Sequence, residues 1–535
     1  MKPLYRRPLV FQLLTARWLA LLGTIACAAT AATPTAPNIL VILADDLGYG
    51  DVQCYQPGRG KIKTPHLDRL AAQGMRFTDA HTSSGVCSPT RYALLTGRYH
   101  WRTRLQSGIV EHLGPPLIAP DRLTIGGLAQ QHGYRTAAIG KWHLGWDWNI
   151  PAEQRELFAP GRAVSPPVTD AHLAAWRALF SRAVAGGPIT RGFDEYFGTD
   201  VPNQSPYCFI ENDRTFGMPS VFLPLPLLRG QLAGIGGPAL EHWKLEGILP
   251  ALGARAVDFI TRQAKARQRF LLYLPLTSPH TPIAPNAEWR GQSGLGNYAD
   301  FVMETDALVG RVLAALDASG AASNTLVLFT SDNGCAPTAY AETAAQGHAS
   351  SGPLRDFKGS VFEGGHRVPF IVRWPGVVRA GGVNGQLVHQ ADLIATIAEI
   401  FDAKLPADAG EDSFSLLPLF KGNDQPVRAH AVSCASNGTP GLRHGDWKLV
   451  LAPDAQAGTP VQLYNLANDL GEAQNLAAAQ PVLVAAMRAR LETIIAQGRS
   501  TPGAAQKNDV EPRRYPVATD PAAKTKTKGK AAKKI

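Results

Sequence analysis

Cysteine is scarce in this chain and irregularly spaced: Cys27, Cys54, Cys87, Cys208, Cys335 and Cys434 are the whole complement of 535 residues. No Cys-x-x-Cys pair occurs, which excludes a cysteine-built zinc site, and the spacing lays down no disulfide framework. Charged residues are also few, at 18%. The formal net charge of +10 belongs to the two ends, because residues 1–32 carry +4 and residues 505–535 carry +6, leaving 33–504 with none. A basic, nucleic-acid-binding body is thereby excluded, and no nucleic-acid partner is expected. At 45% hydrophobic the chain is not disordered throughout, and it has neither a collagen nor a coiled-coil composition.

What is present is enough chain for a substantial core, with 52 Gly and 41 Pro to build long loops. Beyond about 300 residues a single core stops growing, so one large domain with a smaller companion is expected. Residues 1–32 read as a signal peptide: Lys2, Arg6, Arg7 and Arg17, an apolar run from Trp18 to Ala29, then small residues. That run is too short to span a bilayer, so the protein is expected to be exported to the periplasm or secreted. Arg6-Arg7 is a weak twin-arginine signal, because Pro8 follows it, and Cys27 a weak lipid-anchor signal, because Thr24 stands where a lipidation site has Leu. Removal of Cys27 with the leader leaves five cysteines, an odd number, so at least one has work other than pairing. Residues 501–535, ending in Ala, Lys and Thr, read as a disordered basic tail.

Between the ends, four apolar runs rich in aliphatic residues read as buried strands: Asn38-Ile-Leu-Val-Ile-Leu43, Tyr134-Arg-Thr-Ala-Ala-Ile139, Phe270-Leu-Leu-Tyr-Leu-Pro275 and Thr325-Leu-Val-Leu-Phe-Thr330. Helical patterns from Thr64 to Gly74, Leu123 to Gly133, Ala254 to Gln268 and Tyr298 to Ser319 alternate with them. The class is therefore α/β, a large mostly parallel sheet sandwiched by helices. Residues 33–404 form this main domain, with 151–250, rich in Pro, Gly and aromatics, as loops over the sheet edge where substrate is chosen. Short strands at Ala429 to Ser433, Trp447 to Leu451 and Val461 to Tyr464, then a helix near Pro481 to Gln497, make 405–500 a smaller α+β domain with an antiparallel sheet.

All four strands end in polar residues: Asp45-Asp46, Gly140-Lys-Trp-His143, Ser278-Pro-His280 and Ser331-Asp-Asn-Gly334. In a parallel sheet those ends share one edge, where ligands bind. Asp45, Asp46, Asp332 and Asn333 offer hard oxygens suited to Ca²⁺ or Mg²⁺ rather than zinc, or else serve as turn and cap residues. Arg91, Lys141, His143, His280 and Lys358 can line a cationic pocket for an oxyacid ester, or stand singly as surface charges and core histidines. Pro89 in Cys87-Ser-Pro-Thr-Arg91 suits a first helical turn and puts Cys87 at a helix N-terminus, as a buried thiol or as a thiolate nucleophile. A thiolate attacking sulfur or phosphorus, however, leaves a product needing a second attack to release it.

The segment Cys87-x-Pro-x-Arg91 with Leu94-Leu-Thr-Gly97 resembles the signature of the type I, formylglycine-dependent sulfatases, which are arylsulfatase-like members of the alkaline phosphatase superfamily. Pro37-Asn-Ile-Leu, Asp45-Asp46-Leu-Gly-Tyr-Gly, Thr64-Pro-His-Leu-Asp68, Gly140-Lys-Trp-His-Leu-Gly145, Ser278-Pro-His-Thr-Pro282, Ser331-Asp-Asn-Gly334, Lys358-Gly, Glu363-Gly-Gly and Leu463-Tyr-Asn-Leu extend the likeness over roughly residues 37–480. The resemblance implies an alkaline-phosphatase-like fold and a sulfuric ester hydrolase in which a maturation enzyme oxidises Cys87 to formylglycine. By the same resemblance, one hydroxyl of its hydrate would attack sulfur as the ester alcohol leaves, and the second would then collapse to the aldehyde and expel inorganic sulfate. It further implies Asp45, Asp46, Asp332, Asn333 and the modified Cys87 as Ca²⁺ ligands, with Asp332 also the proton acceptor. Arg91 and His143 would fix the formylglycine, Lys141 and Lys358 would hold sulfate, and His280 with Lys358 would protonate the leaving alcohol. The expected substrate is a sulfated carbohydrate or an aryl sulfate. A sugar suits Trp146, Trp148, Tyr196 and Tyr207 if these stack on rings. Rival readings are a phosphonate or phosphodiester hydrolase of the same superfamily, and a non-catalytic binder of sulfated glycans.

Overall fold

A continuous apolar run makes a strand when both of its faces are covered, and the Asn38–Asp45 strand shows why. Ile39, Val41 and Leu43 enter one hydrophobic core, while Leu40, Ile42 and Ala44 enter a second on the opposite face. The neighbouring strands divide alike: Leu326 and Leu328 against Val327 and Phe329, Leu271 and Tyr273 against Phe270 and Leu272. Each such Val, Leu, Ile or Phe side chain contributes roughly 1.5–3 kcal/mol by burial. In this computed structural model residues 36–158, 167–224, 234–451 and 461–513 are described.

The main sheet has ten strands, in the order Gly382–Asn384, Met75–Phe77, Phe370–Arg373, Thr325–Ser331, Asn38–Asp45, Phe270–Pro279, Arg135–Lys141, Glu195–Thr199, Phe209–Glu211 and Arg214–Phe216. The five from Thr325–Ser331 to Glu195–Thr199 are mutually parallel. Helices Pro65–Gln73, Ile248–Lys265 and Asn297–Ala318 cover one face; Cys87–Thr96, Ile125–Gln131 and Leu393–Ile400 cover the other. This is the mostly parallel, helix-covered sheet expected.

A second, antiparallel sheet of His430–Cys434, Pro440–His444, Trp447–Leu451 and Val461–Asn465 lies towards the C-terminus. Helix Pro481–Ala496 closes its core through Met487, Leu491, Ile494 and Ile495, and Tyr99 and Trp101 enter that core from the main body.

Three expectations need correction. The stretch 151–250 is not only loops: Glu195–Thr199 pairs in parallel with Arg135–Lys141, two short strands extend the edge, and Asp170–Phe180 is a helix. These strands are too brief to show a period, and Gly198 interrupts the pattern. A Cβ there would meet the Gly140 carbonyl oxygen at 1.8 Å, so close backbone approach demands the glycine that hides the strand. Residues 501–513 do not float as a tail. Asp509 pairs with Arg98 at 2.9 Å, Asn508 accepts from Arg102 at 3.0 Å, and the Asp509 amide bonds the Arg102 carbonyl. The signal peptide and the lysine-rich end beyond 513 lie outside the described residues. Finally, Trp146, Trp148, Tyr196 and Tyr207 are no more than 2% exposed, so they are core and cannot stack on a sugar. The five cysteines after Cys27 are all free.

Candidate functional site

Parallel register delivers the polar strand ends to one place. Ala44 is level with Ser331 and Asp45 with Pro279, so Asp45-Asp46, Asp332-Asn333 and His280 leave adjacent strands together. The Arg135–Lys141 strand brings Lys141 and His143 to the same edge. Above it sits the helix Cys87–Thr96, whose first residue is Cys87 and whose end is set by Gly97 at φ +66°, a left-handed stop.

The contacts are close. Cys87 Sγ lies 3.6 Å from Asp45 Oδ1 and 3.7 Å from Lys358 Nζ. Lys141 Nζ donates to Asp45 Oδ2 at 2.7 Å, and Lys358 Nζ reaches Asp46 at 2.6 Å. Arg91 Nη2 donates to Asp332 Oδ2 at 2.8 Å and lies 3.6 Å from Asp45, while Asp332 Oδ1 accepts the Asp46 amide. The Asn333 amide nitrogen donates to Asp46 Oδ1 at 2.7 Å. Potential ligand atoms of Asp45, Asp46, Cys87 and His280 all fall within 4.8 Å of one another. The catalytic and metal-binding candidates read from sequence, Asp45, Asp46, Cys87, Arg91, Lys141, His143, His280, Asp332, Asn333 and Lys358, therefore meet here, whereas the four aromatics do not. All are buried except Lys358, whose side chain is 19% exposed and marks the side open to solvent.

Burial penalises every charge at the site, so the partners decide which survive. Burial raises the Asp45 carboxyl, yet Lys141, His280 and Arg91 outweigh it and hold the group well below the usual range. Asp332 goes the other way, to about 7, because burial and the charge on Asp45 exceed what Arg91 returns. Burial lowers Lys358, and Asp46 overcomes it, keeping the ammonium charged. The Cys87 thiol is pushed up by burial and by Asp332, which argues against the thiolate reading. His143 is held neutral by burial and by Lys141 and Arg91, and burial lowers His280 to about 4. His280 Nδ1 donates to the Thr281 carbonyl, which turns Nε2 towards Asp46 at 3.7 Å.

The residues fit a hard cation. Asn333 Oδ1 is buried without a hydrogen-bond partner while its side-chain nitrogen bonds Asp46, and the carboxylates of Asp45, Asp46 and Asp332 make oxygen the dominant donor beside Cys87 and His280, which suits Ca²⁺. The carboxyls of Asp45, Asp46 and Asp332 at most offset the three fixed cations Arg91, Lys141 and Lys358, so a divalent ion would turn the pocket positive and suited to an oxyanion. Both nitrogens of His143 are likewise buried and unpartnered, and its backbone is left-handed at φ +52°. Asp46 is also left-handed, at φ +63°. Strained backbone of this kind persists where the surroundings over-determine it.

Several supporting residues were missed from sequence. Asp200 Oδ1 accepts the His143 amide at 3.2 Å. Tyr298 bonds the Asp46 carbonyl at 3.0 Å and Asp51 Oδ2 at 2.5 Å, and His348 holds the other Asp51 oxygen at 2.9 Å. Only Asp200 had a readable signal, since it follows a strand end, but that strand was itself unread.

A family model described as Sulfatase matches residues 37–403. The chain is 32% identical over 488 residues to an N-acetylgalactosamine-6-O-sulfatase of Bacteroides thetaiotaomicron, covering 86% of this chain and 93% of that protein. It is 33% identical over 487 residues to arylsulfatase A of Bos taurus, covering 85% and 86%. A solved structure from glycosaminoglycan metabolism in Bacteroides thetaiotaomicron superimposes with TM-score 0.73 at 30% identity, covering 86% of this chain and 99% of the other.

Proposed function

The chain belongs to the sulfatase family, enzymes that hydrolyse sulfate esters, and from that premise we propose an exported, Ca²⁺-dependent enzyme that desulfates a sulfated carbohydrate with an aldehyde made from Cys87. The observation that carries this reading is the convergence of Cys87 with Arg91, Lys141 and Lys358 and with the oxygens of Asp45, Asp46, Asp332 and Asn333. Formylglycine at position 87 supplies a hydrated aldehyde as nucleophile, and Ca²⁺, held by those four oxygen-bearing residues and by position 87, supplies positive charge beside it.

The chain's own side chains do the rest. Lys141 and Lys358 bind sulfate oxygens, with the partly exposed Lys358 facing the entering ester. Arg91 holds Asp332 beside the nucleophile, where its carboxylate is placed to take the proton. His143, neutral and free at both nitrogens, orients the group at position 87. His280 presents Nε2 to the site. An anionic ester beside it favours the protonated ring, which then gives that proton to the leaving alcohol.

The leader at 1–32 supports export to the periplasm or the medium and a main catalytic domain of 33–404, followed by the α+β region 405–500. Maturation by a formylglycine-generating enzyme is part of the same reading. The relative named for N-acetylgalactosamine 6-O-sulfate supports that sugar as the first substrate to try. Matured enzyme should release inorganic sulfate from N-acetylgalactosamine 6-sulfate faster than from an aryl sulfate, and faster than it cleaves an aryl phosphate diester. Faster diester cleavage would point to phosphoryl transfer instead, and sugar binding without sulfate release would remove the catalytic reading.

A further inference from the structure

A second buried cluster lies outside the site: ligand atoms of His81, Glu363 and His366 fall within 4.8 Å of one another. Its centre already holds a cation. Lys448 Nζ, from the C-terminal sheet, stands 2.9 Å from Glu363 Oε1, 2.8 Å from Glu472 Oε1 and 3.1 Å from His366 Nε2, and Arg367 Nη1 lies 3.2 Å from Glu363 Oε2. All of these side chains are buried, and the Glu363 amide donates to Glu472 at 2.7 Å. A pocket so filled with cations does not await a metal.

The segment held by Lys448 leads straight to the catalytic residues. Glu363–His366 is one helical turn at the end of the loop that carries Lys358. The Gly334 amide, next to Asn333, donates to the Gly365 carbonyl at 3.0 Å, and a Cβ on Gly334 would meet the Gly364 oxygen at 1.9 Å. The two backbones pack directly on each other with no room for a side chain at Gly334, so a shift of the turn is felt at Asn333. Next to Lys358, the Gly359 amide donates to the Gly85 carbonyl at 2.7 Å, and its carbonyl accepts the Ser436 amide at 2.9 Å. Ser436 follows the strand His430–Cys434, whose Cys434 brackets the approach to Cys87 through Ser83 and Gly85.

We propose that Lys448 is a positioning residue for sulfate ester hydrolysis, fixing the Glu363 turn so that Lys358 stands at the sulfate position beside Cys87. The inference rests on the reading of Lys358 as a sulfate-binding group. Lys448 touches no substrate itself, and the antiparallel sheet is thereby a working part of the catalytic centre.

A double-mutant cycle tests this on matured full-length enzyme, reading sulfate release and thermal unfolding for wild type, Lys358→Ala, Lys448→Met and the double variant. Lys448→Met should lower kcat roughly 10- to 100-fold, the usual cost of a lost supporting residue. Lys448→Arg should restore most of it. In the double variant the loss should equal that of Lys358→Ala alone, because one effect acts through the other. Losses that multiply, or an Arg variant as slow as Met, would reduce Lys448 to a stabilising residue and overturn the proposal. If Lys448→Met does not fold, Glu363→Gln, which removes the charge that Lys448 holds while keeping the side chain's shape, takes its place in the cycle with the same two outcomes. Should Lys358→Ala turn over like wild type, the reading of the site itself fails, and the inference with it.

Discussion

Arg91 and Asp332 are 241 residues apart in sequence, yet they form a fully buried pair at 2.8 Å that joins the Cys87 helix to the end of a central strand. Arg91 gives two nitrogens to one carboxylate oxygen and a third to the Lys141 carbonyl, so one side chain ties three strand or helix ends into one site.

Arg91→Ala should therefore cost both stability and turnover. It strands Asp332 without its counter-charge, and breaking a buried pair typically costs about 3–5 kcal/mol. Arg91→Lys keeps a charge but loses the planar fork. Urea unfolding should show the Lys variant losing clearly less stability than Ala, while both lose most of their sulfate release.

The proposed calcium site rests on the unpartnered oxygen of Asn333 and the neighbouring carboxylates of Asp45, Asp46 and Asp332. Chelator-treated enzyme should be inactive and melt lower. Calcium added to about 100 times its dissociation constant should return about 2.7 kcal/mol of stability, with magnesium the comparison ion. Asn333→Ala should weaken calcium binding in titration calorimetry. Full activity in chelator would contradict the assignment.

The pair Arg102–Asp412 sets an acid limit on stability. Asp412 accepts two bonds from Arg102, at 2.7 and 2.8 Å, together with the Tyr99 amide and Ser500. Burial disfavours its charge, but Arg102 and these donors win and hold the carboxyl below its usual value. A lowered folded-state value means the stabilisation is complete above the unfolded value of about 4 and fades as pH falls through the folded one. The stability gap between wild type and Asp412→Asn should thus be widest at neutral pH and shrink below about pH 4. A gap that does not change with pH would show that the charge is not what stabilises.

Much of this was legible in the sequence because the site is built from strand ends. Asn38–Asp45 and Thr325–Ser331 are long, apolar on both faces and followed by acids, so their place and their edge could be read together. Glu195–Thr199 could not be read, since five residues carrying Gly198 have no period, and with it went Asp200 beneath His143. The four aromatics read as sugar platforms failed for a different reason. Composition says that a tryptophan is present, not which way it faces, and Trp146 and Trp148 face the core. The Lys448 network was invisible because its members come from separate segments and meet only in three dimensions.

The account turns on the chemical state of position 87, and peptide mass spectrometry of active protein, produced with a maturation system, tests it most directly. The peptide spanning Cys87 should carry the mass of an aldehyde in place of the thiol and should react with a hydrazide probe, and Cys87→Ala should abolish both the adduct and sulfate release. Active enzyme with an unmodified Cys87 thiol would contradict the mechanism.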